Sequence, residues 1–231
     1  MRGDDPRGLR QVSVNHNHRF FSKGDRRLTP PVSFLILGIA FPCRTYYNNS
    51  VLLESEAFII RKTTLWLTRT GILTGLLIVA QTVTAPAGQI VTGSAVNAVL
   101  ASAALLGGLS CGITVAAVSP FLAFSLGIGP QIFAIVPAIM AGNCIYVLLL
   151  ALLAKGSLLQ RLTALAAGSC AKALTLYLLV VQLLCRVLPL KPPQIEKFTA
   201  MFSFPQLITA LCGGAVALVV APLVRRGMDR K

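Results

Sequence analysis

Acidic residues are scarce in this 231-residue chain, with seven Asp and Glu against 21 Lys and Arg. Five of the seven lie before residue 57, leaving Glu196 and Asp229 as the acids of the rest. Histidine is scarcer still, since His16 and His18 are the only two. Beyond the N-terminal stretch there is therefore no ligand set for a metal centre and no His-assisted nucleophile. No carboxylate stands inside an apolar run, where a membrane proton relay would need one. A GxxxxGK[ST] phosphate loop is also missing, so ATP cannot be this chain's own energy source. These absences predict a protein that is not an enzyme, with no catalytic residues, no cofactor and no metal.

What is abundant is apolar surface. Hydrophobic residues make up 55% of the sequence and charged ones 12%, with a mean hydropathy of +0.75, far from the balance of a soluble domain. The formal charge of +14 does not indicate nucleic acid, because its carriers cluster in residues 1 to 62 and at the ends of apolar segments, a membrane-flank pattern. Cys111, Cys144, Cys170, Cys185 and Cys212 lie within apolar runs and have no CxxC pairing, so they read as small packing residues.

Residues 1 to 62 show no sustained periodicity and read as a basic, disordered tail. Its one apolar run, Phe34 to Phe41, is too short to cross a bilayer, which takes about 20 helical residues. It also lies too far in for a signal peptide. The tail's composition is foreign to the remainder, and we expect translation to start near Val51 to Leu65 at a non-ATG codon. From Thr63 onward six apolar runs alternate with short breaks: Thr63 to Thr84, Gln89 to Leu106, Leu109 to Ile128, Pro130 to Leu153, Leu162 to Leu190 and Pro205 to Val224. Only helices or closed barrels satisfy the backbone in lipid, and uninterrupted runs of this length exclude barrel strands. The expected fold is an all-α integral membrane protein, with about six transmembrane helices over residues 63 to 225 and a short basic end over 226 to 231.

Orientation follows from Lys and Arg near the segment ends. Arg61, Lys62, Arg69, Lys155, Arg161, Arg225, Arg226, Arg230 and Lys231 fall on one side; Arg186, Lys191 and Lys197 fall on the other. Both termini are expected in the cytoplasm of a bacterial cell, with the chain a multi-pass protein of its membrane.

Polar residues inside the runs are the candidate site. With successive residues 100° apart, Ser169, Lys172, Thr175, Gln182 and Arg186 share one face of the fifth helix, within about 140°. Lys172 lies roughly 15 Å from the cytoplasmic end, too deep to snorkel, so its ammonium either faces a ligand cavity or pairs with backbone carbonyls. Gln81 with Thr70, Thr74 and Thr84 marks a polar face of the first helix. Asn97, Asn143 and Tyr146 are hydrogen-bonding groups that serve either as ligand contacts or as glue between helices. Gly71 and Gly75, and likewise Gly108, Gly112 and Ala116, have the small-xxx-small spacing of close helix approach, within the bundle or to a partner. Pro120, Pro137 and Pro222 interrupt their helices and are consistent with a central hollow. The loop Pro189 to Phe204, stiffened by Pro192 and Pro193, makes the outer side net positive, which favours an anionic ligand.

The pattern resembles the substrate-binding membrane subunit, or S component, of an energy-coupling factor (ECF) vitamin transporter. The likeness covers roughly residues 63 to 225. It rests on Gln89-Ile-Val-Thr-Gly-Ser-Ala-Val-Asn97, Ser119-Pro-Phe-Leu-Ala123 with Gly127-Ile-Gly-Pro130, Pro137 with Gly142-Asn143 and Tyr146, Lys172, and Pro205-Gln206-Leu207 with Thr209-Ala210. The resemblance implies six helices, capture of a vitamin or related small molecule from outside, and energy from a separate scaffold membrane subunit with two cytoplasmic ATPase subunits. Gln81, Gln89, Asn97, Asn143, Tyr146, Lys172, Gln182 and Arg186 are the expected substrate contacts. Gly71 and Gly75 stand where the family docks on its scaffold through Ala-x-x-x-Ala. Two other readings remain open: an energy-independent channel or facilitator for small solutes, and a structural membrane protein without a ligand.

Overall fold

The computed structural model describes residues 43–228, with side chains from 58 to 227. The unit that carries the apolar helices is Tyr47–Lys231. The alternative start and the run Phe34 to Phe41 touch or lie in the stretch whose side chains or backbone fall outside the described residues. Helix α1 spans Cys43–Thr84, so its backbone is helical well before Thr63, where the first helix was expected to begin. Every regular element among the described residues is a helix: α2 (Gln89–Ser102), α3 (Gly108–Ser125), α4 (Val136–Leu153), α5 (Leu158–Leu176), α6 (Pro192–Phe202) and α7 (Phe204–Met228). Five helical stretches are long and apolar enough to cross a membrane: Phe58–Ala87, Gln89–Ser125, Phe133–Leu153, Leu158–Val187 and Pro192–Gly227.

The second of these stretches is not straight. A π-turn over Ala103–Gly107 ends α2, and Gly108 then adopts φ 79°, a conformation that costs a side-chain-bearing residue free energy. Beyond it α3 doubles back: a Cβ on Gly112 would lie 3.2 Å from the Cα of Ala104 and 2.6 Å from Val147 of α4. Gly112 and Ala116 are thus buried packing positions, as their spacing suggested. Gly108 is not one of them, because it is exposed and makes the turn.

Two further sequence expectations change. Pro137 does not break a helix; it lies in the first turn of α4, where a missing N–H leaves no bond unmade. The connection Pro189 to Phe204 is not a stiff loop but contains α6, opened by Pro192 and Pro193 in its first turn. Phe198 and Phe202 of α6, four residues apart on one face, pack into a core with Ile135, Leu176 and Val180, while Glu196 and Lys197 stay exposed.

The principal core lies between α1, α2, α3, α4, α5 and α7, around Leu77, Leu100, Val115, Tyr146 and Leu150. Helix α1 joins it through Thr70, Leu73, Leu77 and Gln81, a stripe at helical spacing. Glycines let the helices approach. Gly93 of α2 faces Thr209 of α7, Gly142 of α4 faces Leu176, and Gly213 of α7 abuts the backbone of α2 at Ala98. Lipid offers no hydrophobic drive to association, so close van der Waals contact at such positions carries much of the helix packing.

That distinction between glycines is testable. A Cβ at Gly213 would sit 2.6 Å from the amide nitrogen of Ala98, so Gly213→Ala should force α2 and α7 apart and destabilise the fold by about 1–3 kcal/mol. Gly71 has nothing within 4 Å of the same position, and Gly71→Ala should leave stability unchanged or slightly raised, as helix propensity dictates. Thermal unfolding of the two variants in detergent checks the contrast; equal behaviour would contradict the packing described.

Candidate functional site

At one end of the bundle, the C-terminal part of α1, the start of α2, the end of α3, the start of α4 and α7, and the second half of α5 surround a cavity of about 400 Å³. This is the size of a small-molecule site. Its polar groups are few. Gln81, Gln89, Thr92, Asn97, Ser119, Asn143, Lys172 and Gln206 line it among apolar residues that include Val96, Phe124, Ile139 and Phe202.

Lys172 organises the deep part. Its side chain is 3% exposed, and Nζ donates to Oδ1 of Asn97 at 2.5 Å and to Oδ1 of Asn143 at 2.7 Å. Nδ2 of Asn97 donates in turn to Oγ1 of Thr209 at 3.3 Å, and that hydroxyl donates to the carbonyl of Gln206 at 3.2 Å. One ammonium therefore ties α5 to α2 and α4, and through Asn97 to α7. Beneath it lies the Tyr146 ring, its centroid 5.5 Å from Nζ, a cation–π distance. The Tyr146 hydroxyl donates to the carbonyl of Ala210 at 2.8 Å.

Both partners of Nζ are neutral amide oxygens. Glu196, the one acid between residues 58 and 227, is exposed on α6. An ammonium has three donors, and two are committed. Burying a charge without a counter-charge is costly even when it is hydrogen-bonded. Gln81 adds a second unmet valence. It is 3% exposed, lines the cavity, and its Oε1 has no hydrogen-bond partner. A buried acceptor of this kind is rare in folded proteins.

The rim is held by main-chain contacts. Nε2 of Gln89 at 2.8 Å and Nε2 of Gln206 at 3.1 Å both donate to the carbonyl of Met201. These bonds pin the end of α6 over the cavity, with Met201 and Phe202 in its wall.

Of the eight expected substrate contacts, Gln81, Gln89, Asn97, Asn143 and Lys172 line the cavity. Tyr146 lies under its floor. Gln182 and Arg186 lie elsewhere: Arg186 donates to Oε1 of Gln182 at 2.6 Å, and Gln182 donates to the Tyr177 hydroxyl at 2.8 Å, in exposed positions. The physical reason is the π-helical stretch Tyr177–Leu184. Its wider turn rotates everything beyond Leu176 away from the 100° register that had placed both residues with Lys172. Ser119, Thr92 and Gln206 were not singled out as contacts. Ser119 precedes Pro120 inside α3, and that dipeptide in an apolar run was the available signal. Gly71 and Gly75 face away from the bundle: both are exposed, with nothing within 4 Å of a Cβ built on either.

No family model matches the chain, and neither does any curated protein or solved structure.

The lysine cluster should behave as one unit. Asn97→Leu alone leaves the ammonium short of an acceptor and should cost roughly 1.5–3 kcal/mol, as for other bonds to charged groups. In a Lys172→Met background the same change should cost less, with a coupling of about 0.5–3 kcal/mol. A double-mutant cycle on unfolding free energy measures it, and simple additivity would show that Asn97 and Lys172 do not act together.

Proposed function

We propose that this protein is the membrane-embedded substrate-binding subunit of an ECF-type importer, and that its ligand is a small organic anion such as a carboxylate-bearing vitamin or precursor. The observation that carries this reading is Lys172 on the cavity wall, buried, bonded to two neutral amides and without a counter-charge. A carboxylate there completes the ammonium's valence and supplies the missing charge. Gln81 Oε1 then accepts from an N–H or O–H on the same ligand.

The topology supports the reading. Because α3 doubles back on α2, the five apolar stretches are compatible with six crossings in this reading. The cavity opens at the end opposite Arg61, Lys155, Arg161 and Arg225, so the positive-inside rule puts its mouth outside the cell and both ends of the spanning region in the cytoplasm. Access from outside and no ATP-binding loop together call for a partner that supplies energy. Gly71 and Gly75 offer a place for it. They lie open on α1, flanked by exposed Ile72, Leu76 and Val79, a flat face that a helix of a scaffold subunit can approach closely. A continuous channel is disfavoured, because Leu77, Leu100, Tyr146 and Leu150 are fully buried between the cavity and the basic end.

Mass spectrometry of small molecules released from the purified protein should find an anionic metabolite, and that compound should raise the unfolding temperature. Losing one partner of a buried charge pair costs about 3–5 kcal/mol, so Lys172→Met should weaken its binding by roughly two orders of magnitude or more. Helix content should persist. Wild-type affinity in this variant, or a cationic ligand, would refute the anion assignment.

Docking has a separate readout. Gly75→Leu should abolish uptake by cells while leaving ligand binding by the isolated subunit intact. Loss of both would place Gly75 in internal packing.

A further inference from the structure

The opposite end of the bundle holds a second cavity, of about 570 Å³. Its polar rim carries Lys155 from the α4–α5 connection, Arg161 from the first turn of α5 and Arg225 from the last turns of α7, with no acidic residue among the lining side chains. Its inner wall is apolar, formed by Leu106, Leu150, Leu218 and Ala221, among others. Three cations converging without an acid repel one another, and an isolated fold gains nothing from the arrangement.

Among the described residues, the cations are not consumed by internal bonds. Arg225 donates Nη2 to the carbonyl of Leu105, in the π-turn at the end of α2, which fixes the guanidinium at the rim and, among the described residues, engages no other partner. Arg161 is half-buried, and its Nε is shielded from solvent with no hydrogen-bond partner. A guanidinium nitrogen in that state lacks an acceptor that an external ligand can provide.

We infer that this cavity binds a phosphate-bearing anion at the basic end of the membrane domain. Guanidinium groups match phosphate oxygens in charge and planar geometry, and basic pockets between membrane helices suit anionic headgroups. The apolar wall directly behind the rim favours an amphiphile, whose headgroup meets Arg161 and Arg225 while its glycerol and chain ends lie against Leu150 and Leu218. The site is separate from the cavity around Lys172, and its existence does not depend on what that cavity binds.

The test uses the full chain in a neutral detergent. Thermal unfolding is followed while short-chain phosphatidylglycerol, phosphatidylcholine of the same chain length, or inorganic phosphate at matched ionic strength is added. Phosphatidylglycerol should raise the midpoint saturably and phosphatidylcholine should not. The Arg161→Gln, Arg225→Gln double variant should need roughly thirtyfold more phosphatidylglycerol for half the shift, from the usual contribution of each basic side chain to headgroup binding. Saturable stabilisation by inorganic phosphate, lost in the double variant, would support the site and identify a soluble phosphate compound as its source. Inactive phosphate beside active phosphatidylglycerol would support it and identify a lipid. Equal responses to the two lipids, or an unchanged phosphatidylglycerol response in the double variant, would overturn the inference. If the double variant does not fold, Lys155→Gln at an exposed position takes its place: weaker binding supports the site, and unchanged affinity overturns it.

Discussion

One ammonium group constrains the bundle more than any other atom set. Lys172 comes from α5 and meets amides from α2 and α4, while α7 is held through the Thr209 hydroxyl. In lipid a charge cannot be left without partners, and apolar side chains gain little by leaving hydrocarbon for one another. A polar cluster therefore fixes which helices are neighbours and in what register, much as a buried Asn does in a coiled coil. The two asparagines are short and rigid enough to hold the head of a long, flexible lysine in one place.

The same cluster links fold to function. Because its acceptors are neutral, the charge of Lys172 is solvated locally but not neutralised, and its field extends into the adjoining cavity. Had an aspartate stood at position 97 or 143, the pair would have carried its own counter-charge. The unpartnered Gln81 oxygen on α1 completes a small set of unmet valences facing one volume. Groups left short of partners at a buried position are unfavourable in the free protein and become favourable when a ligand supplies what they lack.

Helix irregularities place this site. The π-turn at Ala103–Gly107 and the left-handed Gly108 reverse the chain, bringing Ser119 of α3 to the same cavity as Asn97 of α2. The π-helical stretch after Leu176 directs Arg186 outward. Each deviation is local, yet each decides which side chains share the cavity. At the other end, the turn after α2 exposes a carbonyl that Arg225 takes up, so one reversal shapes both ends of the bundle.

Composition and run length alone pointed to an all-helical chain with segments long and apolar enough to cross a membrane, because lipid admits no other way to satisfy so many apolar segments. The sequence also singled out Asn97, Asn143 and Lys172, since polar groups in apolar runs are conspicuous whatever their geometry. It could not say that these three would meet, because residues 97, 143 and 172 become neighbours only when three helices have packed. Nor could it exclude Gln182 and Arg186. Regular 100° spacing put them with Lys172, and the π-helical register that separates them leaves no mark in a run of Leu and Val. The helix over Pro192–Phe202 was masked in the same way by its two prolines, which read as a stiff loop until the aromatic face of Phe198 and Phe202 found a core to cover. Tertiary packing decided these points, because the free energy that selects a register or a turn comes from contacts between segments far apart in the chain.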